Sequence, residues 1–125
     1  MLDEQLMRMR AMAEEHQMEL LWENVSWAAL RGPEEVRWCR KAFPEQRFVL
    51  DIKQACRAGE RWEDVLEAMA GRIAHVHLLD WDESGHMMLP GQGTVDFRQV
   101  FHRLRQAGYD GACILEPYAE QSRDP

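Results

Sequence analysis

The sequence predicts an α/β fold: one parallel sheet of four short strands, with helices packed outside it. Three observations carry that expectation. Apolar spacing switches between the three-to-four step of a helix and the short continuous run of a buried strand. The order along the chain is a helix, then a strand and a helix three times, then a strand, and such alternation builds parallel sheets. The strand runs are apolar throughout, as suits strands covered on both faces. The chain has 125 residues, 46% of them hydrophobic, enough for one core and too few for two.

The elements justify themselves in turn. Residues 1–16 place Leu2, Leu6, Met9 and Ala13 on one face of a helix, a Met-rich face suited to packing. Residues 18–22 are a short apolar run leading to Glu23, and read as a buried strand with a polar end. Gly32 and Pro33 open the next helix, with Glu34 and Glu35 favourable in its first turn. Val36, Cys39 and Phe43 form its apolar side, and Pro44 stops it. Phe48 to Leu50 is a strand ending at Asp51. Residues 62–70 are a helix with Val65, Leu66 and Met69 inward and Gly71 closing it. Residues 73–79 are a strand in which His75 and His77 alternate with apolar residues. Residues 80–94 read as a long loop. Asp96 caps a helix striped by Phe97, Val100, Phe101 and Leu104, which Gly108 ends. Residues 112–115 are the last strand, with Glu116 at its tip.

Composition excludes several classes. The formal net charge of −7 gives no general attraction to phosphate backbones, so nucleic acid is a poor partner. Three cysteines without a CxxC pair argue against a disulfide scaffold or a thiolate zinc site. The charged start lacks the apolar region of a signal peptide, and no apolar stretch is long enough for a membrane span. The expectation is a cytoplasmic protein that meets no membrane.

Each of the four strands carries an acid or a histidine near its C-terminal end: Glu23, Asp51, His77 and Glu116. Parallel strands bring these ends side by side, at the edge where α/β sheets and barrels bind ligands. Three carboxylates crowded together need a compensating cation. An oxygen-rich set with one imidazole suits Mn²⁺, Mg²⁺, Co²⁺ or Zn²⁺ and does not choose among them. The bland alternative for any one acid is a helix cap or a solvated loop position.

The ordered pieces resemble the sugar phosphate isomerase/epimerase superfamily, the xylose isomerase-like TIM barrels. They are Glu23-Asn24-Val25, Leu50-Asp51-Ile52-Lys53-Gln54-Ala55 with Gly59, His75-Val76-His77-Leu78-Leu79-Asp80, Pro90-Gly91-Gln92-Gly93, and Gly108-Tyr109-Asp110-Gly111 leading to Leu115-Glu116. The resemblance implies half of a (β/α)8 TIM barrel, with residues 1–125 as its C-terminal half, strands five to eight. It implies a metal held by Glu23, Asp51, His77 and Glu116, with Glu23 and Glu116 also the catalytic acid/base pair. The implied chemistry is proton removal next to a sugar or polyol carbonyl.

Gln54, where many relatives carry a substrate-contacting histidine, and His86 are candidate substrate contacts. His75 either donates to a metal ligand from behind and orients it, or is a partnered core histidine. Asp80 either orients His77 or caps the following turn, with the structural role favoured. Trp22, Trp27 and Trp81 either wall a pocket or pack in the core. The superfamily's DNA-repair branch uses a richer His/Asp cluster that this acidic chain lacks.

A full barrel needs about 250 residues. Four strands leave two open edges and a bare inner face. Self-association, or a partner supplying the missing half-barrel, is therefore expected. The competing reading is a catalytically incomplete half-barrel serving as an interaction or structural remnant.

Overall fold

The computed structural model describes residues 2–118, the side chains of residues 2 and 3 excepted, so the expected helix contact of Leu2 and the far end of the 1–125 domain lie outside the described residues. In chain order the elements are α1 (Leu2–Glu15), β1 (Trp22–Glu23), α2 (Pro33–Ala42), β2 (Phe48–Asp51), α3 (Ile52–Arg57), α4 (Trp62–Met69), β3 (Ile73–Leu78), β4 (Asp80–Trp81), β5 (Met87–Met88), α5 (Phe97–Gln106) and β6 (Cys113–Leu115). The main sheet has the spatial order β1-β2-β3-β6, with every neighbouring pair parallel. This is the predicted fold class.

Register sorts the side chains onto two faces. Trp22 pairs with Phe48, Leu50 with Val76, and Val76 with Cys113, and these residues face the helices. On that side Val36, Cys39, Phe48, Leu50, Val65, Met69, Val76 and Val100 are fully buried. Each such apolar side chain contributes about 1.5–3 kcal/mol by leaving water. The opposite face carries Glu23 beside Val49, Val49 beside His75, Asp51 beside His77 and His77 beside Ile114. One face holds the molecule together, and the other presents its chemistry.

The helices follow their signals. Gly32 precedes α2, with Pro33 first in the helix and Glu35 Oε2 accepting from the Gly32 amide at 3.0 Å. Asp96 caps α5 by accepting from the Gln99 amide at 3.1 Å. Gly71 and Gly108 end their helices at φ 77° and 81°, where a side chain would be strained.

Six expectations are corrected, one of them Phe101, which is 48% exposed and lies off the buried stripe of α5. Met9 is 48% exposed, and α1 turns Leu6, Arg10 and Ala13 toward the protein instead. The first strand is only Trp22–Glu23, and Met18 is exposed, because an edge strand has one neighbour to pair with. A short helix, α3, follows β2 directly where no helix was expected. The 80–94 segment is not all loop: β4 and β5 pair as an antiparallel hairpin, Asp80 with Met88 and Trp81 with Met87. Finally, β6 is not covered on both faces; Ile114 and Leu115 are 46% and 56% exposed.

Candidate metal centre

The site is made by strand ends. Glu23 is the last residue of β1 and Asp51 the last of β2; His77 is next to last in β3. Glu116 follows β6, held to β3 by its amide donating to the Leu78 carbonyl at 3.1 Å. One ligand atom from each of the four lies within 4.8 Å of all the others. His77 Nδ1 sits 3.2 Å from Glu23 Oε1, 3.6 Å from Glu116 Oε2 and 3.9 Å from Asp51 Oδ2.

Asp51 divides its carboxylate between two tasks. Oδ1 caps α3, accepting from the amides of Lys53 at 2.9 Å and Gln54 at 3.1 Å. Oδ2 is buried and accepts no hydrogen bond. The Asp51 main chain is fixed by Asn24, fully buried, whose Nδ2 donates to the Asp51 carbonyl at 2.9 Å and whose Oδ1 accepts from the Asp51 amide at 2.8 Å. Asn24 thus extends the β1–β2 pairing by one side-chain rung.

Electrostatics reflect the crowding. Burial first, and then the charge of Asp51, push the Glu23 carboxyl up to about 7. Burial lowers the His77 pKa, partly offset by the Asp51 charge, so the imidazole is neutral near pH 7 and keeps a lone pair for coordination. Lys53, 3% exposed, brings an ammonium into the cluster, 3.2 Å from Asp51 Oδ2 and ion-paired with Glu116 Oε2. Asp51 Oδ2, buried, without a hydrogen bond and held by the Lys53 ion pair, forms with two more carboxylates and a neutral imidazole a donor set that fits a divalent cation. Sequence reasoning missed the roles of Asn24 and Lys53. The signal for Lys53 was its place two residues after Asp51, at the start of a helix capped by that same residue.

The remaining candidates lie elsewhere. His75 shares the site face; its ring centroid is 5.1 Å from that of His77, in an edge-on arrangement. Gln54 uses its Oε1 to accept from the Ser26 amide at 3.1 Å and hydroxyl at 2.9 Å, tying the loop after β1 to α3. His86 is exposed on the hairpin, its ring 3.3 Å from Asp82 Oδ2. Asp80 is fully buried and makes no hydrogen bond to His77. Its carboxylate accepts from the amides of Trp81, Gly91, Gly93 and Val95 at 2.9–3.0 Å, and those bonds hold its pKa down against the burial that would raise it. Its role is to tie the Pro90–Gly93 turn to the start of β4. Trp22 and Trp81 pack against the core, the commoner of the two roles, and Trp22 also lines an apolar cavity with Glu23, Leu30 and Trp38; Trp27 is 85% exposed.

The model of the xylose isomerase-like TIM barrel family matches residues 2–125. The chain belongs to that family. Its relatives include an L-ribulose-5-phosphate 3-epimerase, UlaE, of Escherichia coli, 38% identical over 61 residues; that match covers 48% of this chain and 22% of the epimerase. Among solved structures of the fold, the apo 3-keto-D-glucoside 4-epimerase YcjR of E. coli superposes with a TM-score of 0.77 at 20% identity, covering 96% of this chain and 46% of that one. The IolI protein with a bound zinc atom superposes with a TM-score of 0.73 at 20% identity, covering 89% and 44%. The chain thus spans less than half the length of those two structures and supplies four parallel strands of a larger barrel fold. Among the described residues, no helix is long and apolar enough to cross a membrane.

Proposed function

We propose that this chain is the metal-binding half, strands five to eight, of a cytoplasmic sugar or polyol isomerase/epimerase that works by proton transfer next to a carbonyl. The observation that carries the proposal is the convergence of Glu23, Asp51, His77 and Glu116 within 4.8 Å on the bare face of the sheet. The family membership and the epimerases among its relatives support the reaction class. A divalent cation held by these four residues (Mn²⁺, Co²⁺, Mg²⁺ or Zn²⁺) would offset their negative charge and polarise a carbonyl oxygen.

The chain's own groups supply the rest. A carboxyl titrating near 7, as Glu23 does, suits an acid/base at neutral pH, since either protonation state is accessible. Glu116 stands across the cluster from Glu23, just past the far edge strand of the sheet, and is the second acid/base. Asp51 and His77 are ligands, with Asn24 and the α3 cap holding Asp51 in place. Gln54 and His86 remain candidate substrate contacts, and His75 a neighbour that orients His77. The other wall of the substrate pocket comes from a second half-barrel, supplied by another copy or a partner.

Calorimetric titration with Mn²⁺ and Co²⁺ tests the site. Glu116→Gln is expected to weaken binding by at least about tenfold. Equal affinity in both proteins removes Glu116 from the ligand set. Deuterium exchange at the carbon next to the carbonyl, across a ketose and aldose panel with the other half-barrel present, tests the reaction.

A further inference from the structure

We infer that Lys53 is a built-in counter-ion that holds the carboxylate cluster in its ligand-ready arrangement and yields its oxygens to an incoming divalent cation; the second half of this inference rests on the proposed metal site. The Lys53 ammonium lies 3.2 Å from Asp51 Oδ2 and is ion-paired with Glu116 Oε2. These are the same two oxygens that face His77 Nδ1, at 3.9 and 3.6 Å. The other Asp51 oxygen is engaged by the α3 amides, so Oδ2 is the one left for a cation. A lysine only 3% exposed is rarely tolerated without a charge partner. Here it has two partners, both members of the candidate ligand set.

The charge count sharpens the point. Glu23, Asp51 and Glu116 can carry three negative charges, which one ammonium and one divalent cation together balance. Either cation alone leaves negative charge over. Lys53 and the metal are therefore complementary in charge but compete for the same two oxygens. The Tyr118 ring already meets this ammonium, its centroid 5.6 Å from Lys53 Nζ and 4.9 Å from Arg57 Cζ.

Two measurements on the full chain test this. The first is a double-mutant cycle, Lys53→Met with Glu116→Gln, followed by thermal unfolding in the presence of a chelator. Lys53→Met is expected to lower Tm by several degrees and Glu116→Gln to restore part of that loss, because it removes the charge left unpaired. Additive shifts would overturn the counter-ion role. The second is Mn²⁺ affinity: Lys53→Met is expected to bind roughly tenfold more tightly than wild type, and Lys53→Arg no more tightly. Unchanged or weaker binding by Lys53→Met would overturn the competition. If Lys53→Met does not fold, the Nζ resonance of the labelled wild-type protein is followed as Mg²⁺ or Zn²⁺ is added; a resonance that stays in place as the metal binds overturns it equally. A coupled cycle in a protein that takes up no metal would leave the counter-ion standing and remove the metal reading instead.

Discussion

At the scale of single residues, Glu23 has the most direct consequence for pH. Its carboxyl titrates near 7 in the folded chain, against an ordinary value of 4.5. Between those values the folded chain keeps a proton that the unfolded chain has lost. By this group, stability therefore falls as pH rises from about 4.5 to about 7. A metal needs the ionised form, so proton and metal compete. Apparent Mn²⁺ affinity should rise about tenfold per pH unit below 7 and level off above it. Titrations at pH 6, 7 and 8 check the slope, and Glu23→Gln should flatten it. A flat wild-type profile would mean that Glu23 is not a ligand.

Legibility also divides at this scale. The four ligand candidates were readable because each is a lone polar residue at the end of an apolar run. Their shared face required register, which a sequence does not display. Lys53 was hidden because a lysine at a helix start normally reads as solvated. Asp80 was readable as structural, but three of its four amide partners come from a turn more than ten residues away in sequence, and spacing does not reveal such a pairing.

At the scale of elements, strong periodicity or an unambiguous punctuator made α2, α4 and α5 readable. α3 was not: its six residues are too few to show a period, and only the Asp51 cap marks its start. The β4–β5 hairpin was missed because two-residue strands carry no alternation. The same hairpin region depends on one glycine. A Cβ at Gly93 would stand 2.3 Å from the Trp81 carbonyl oxygen and 2.4 Å from Asp80 Oδ1, so the turn would have to move off the carboxylate that anchors it. Gly93→Ala should cost about 1–3 kcal/mol in urea unfolding. An unchanged midpoint would show that the turn shifts freely.

At the scale of the whole molecule, the outer layer is finished and the inner face is not. Both terminal strands of the sheet, β1 and β6, have an unpaired edge among the described residues, and β6 adds exposed Ile114 and Leu115. Unpaired edges beside apolar side chains recruit other strands. This 125-residue chain, prepared alone, should sediment as a dimer or larger species at micromolar concentration. Replacing Ile114 and Leu115 with lysine should shift it toward monomer. A concentration-independent wild-type monomer would contradict the expectation.

The two-faced register has one more consequence. The helix-facing core draws nothing from Val49, His75 or Ile114, which sit on the opposite side of the same strands. Scaffold and reactive surface are thus separately editable, strand position by strand position. A substitution at one of those three positions changes what the open face offers a ligand and leaves the packing beneath the helices in place.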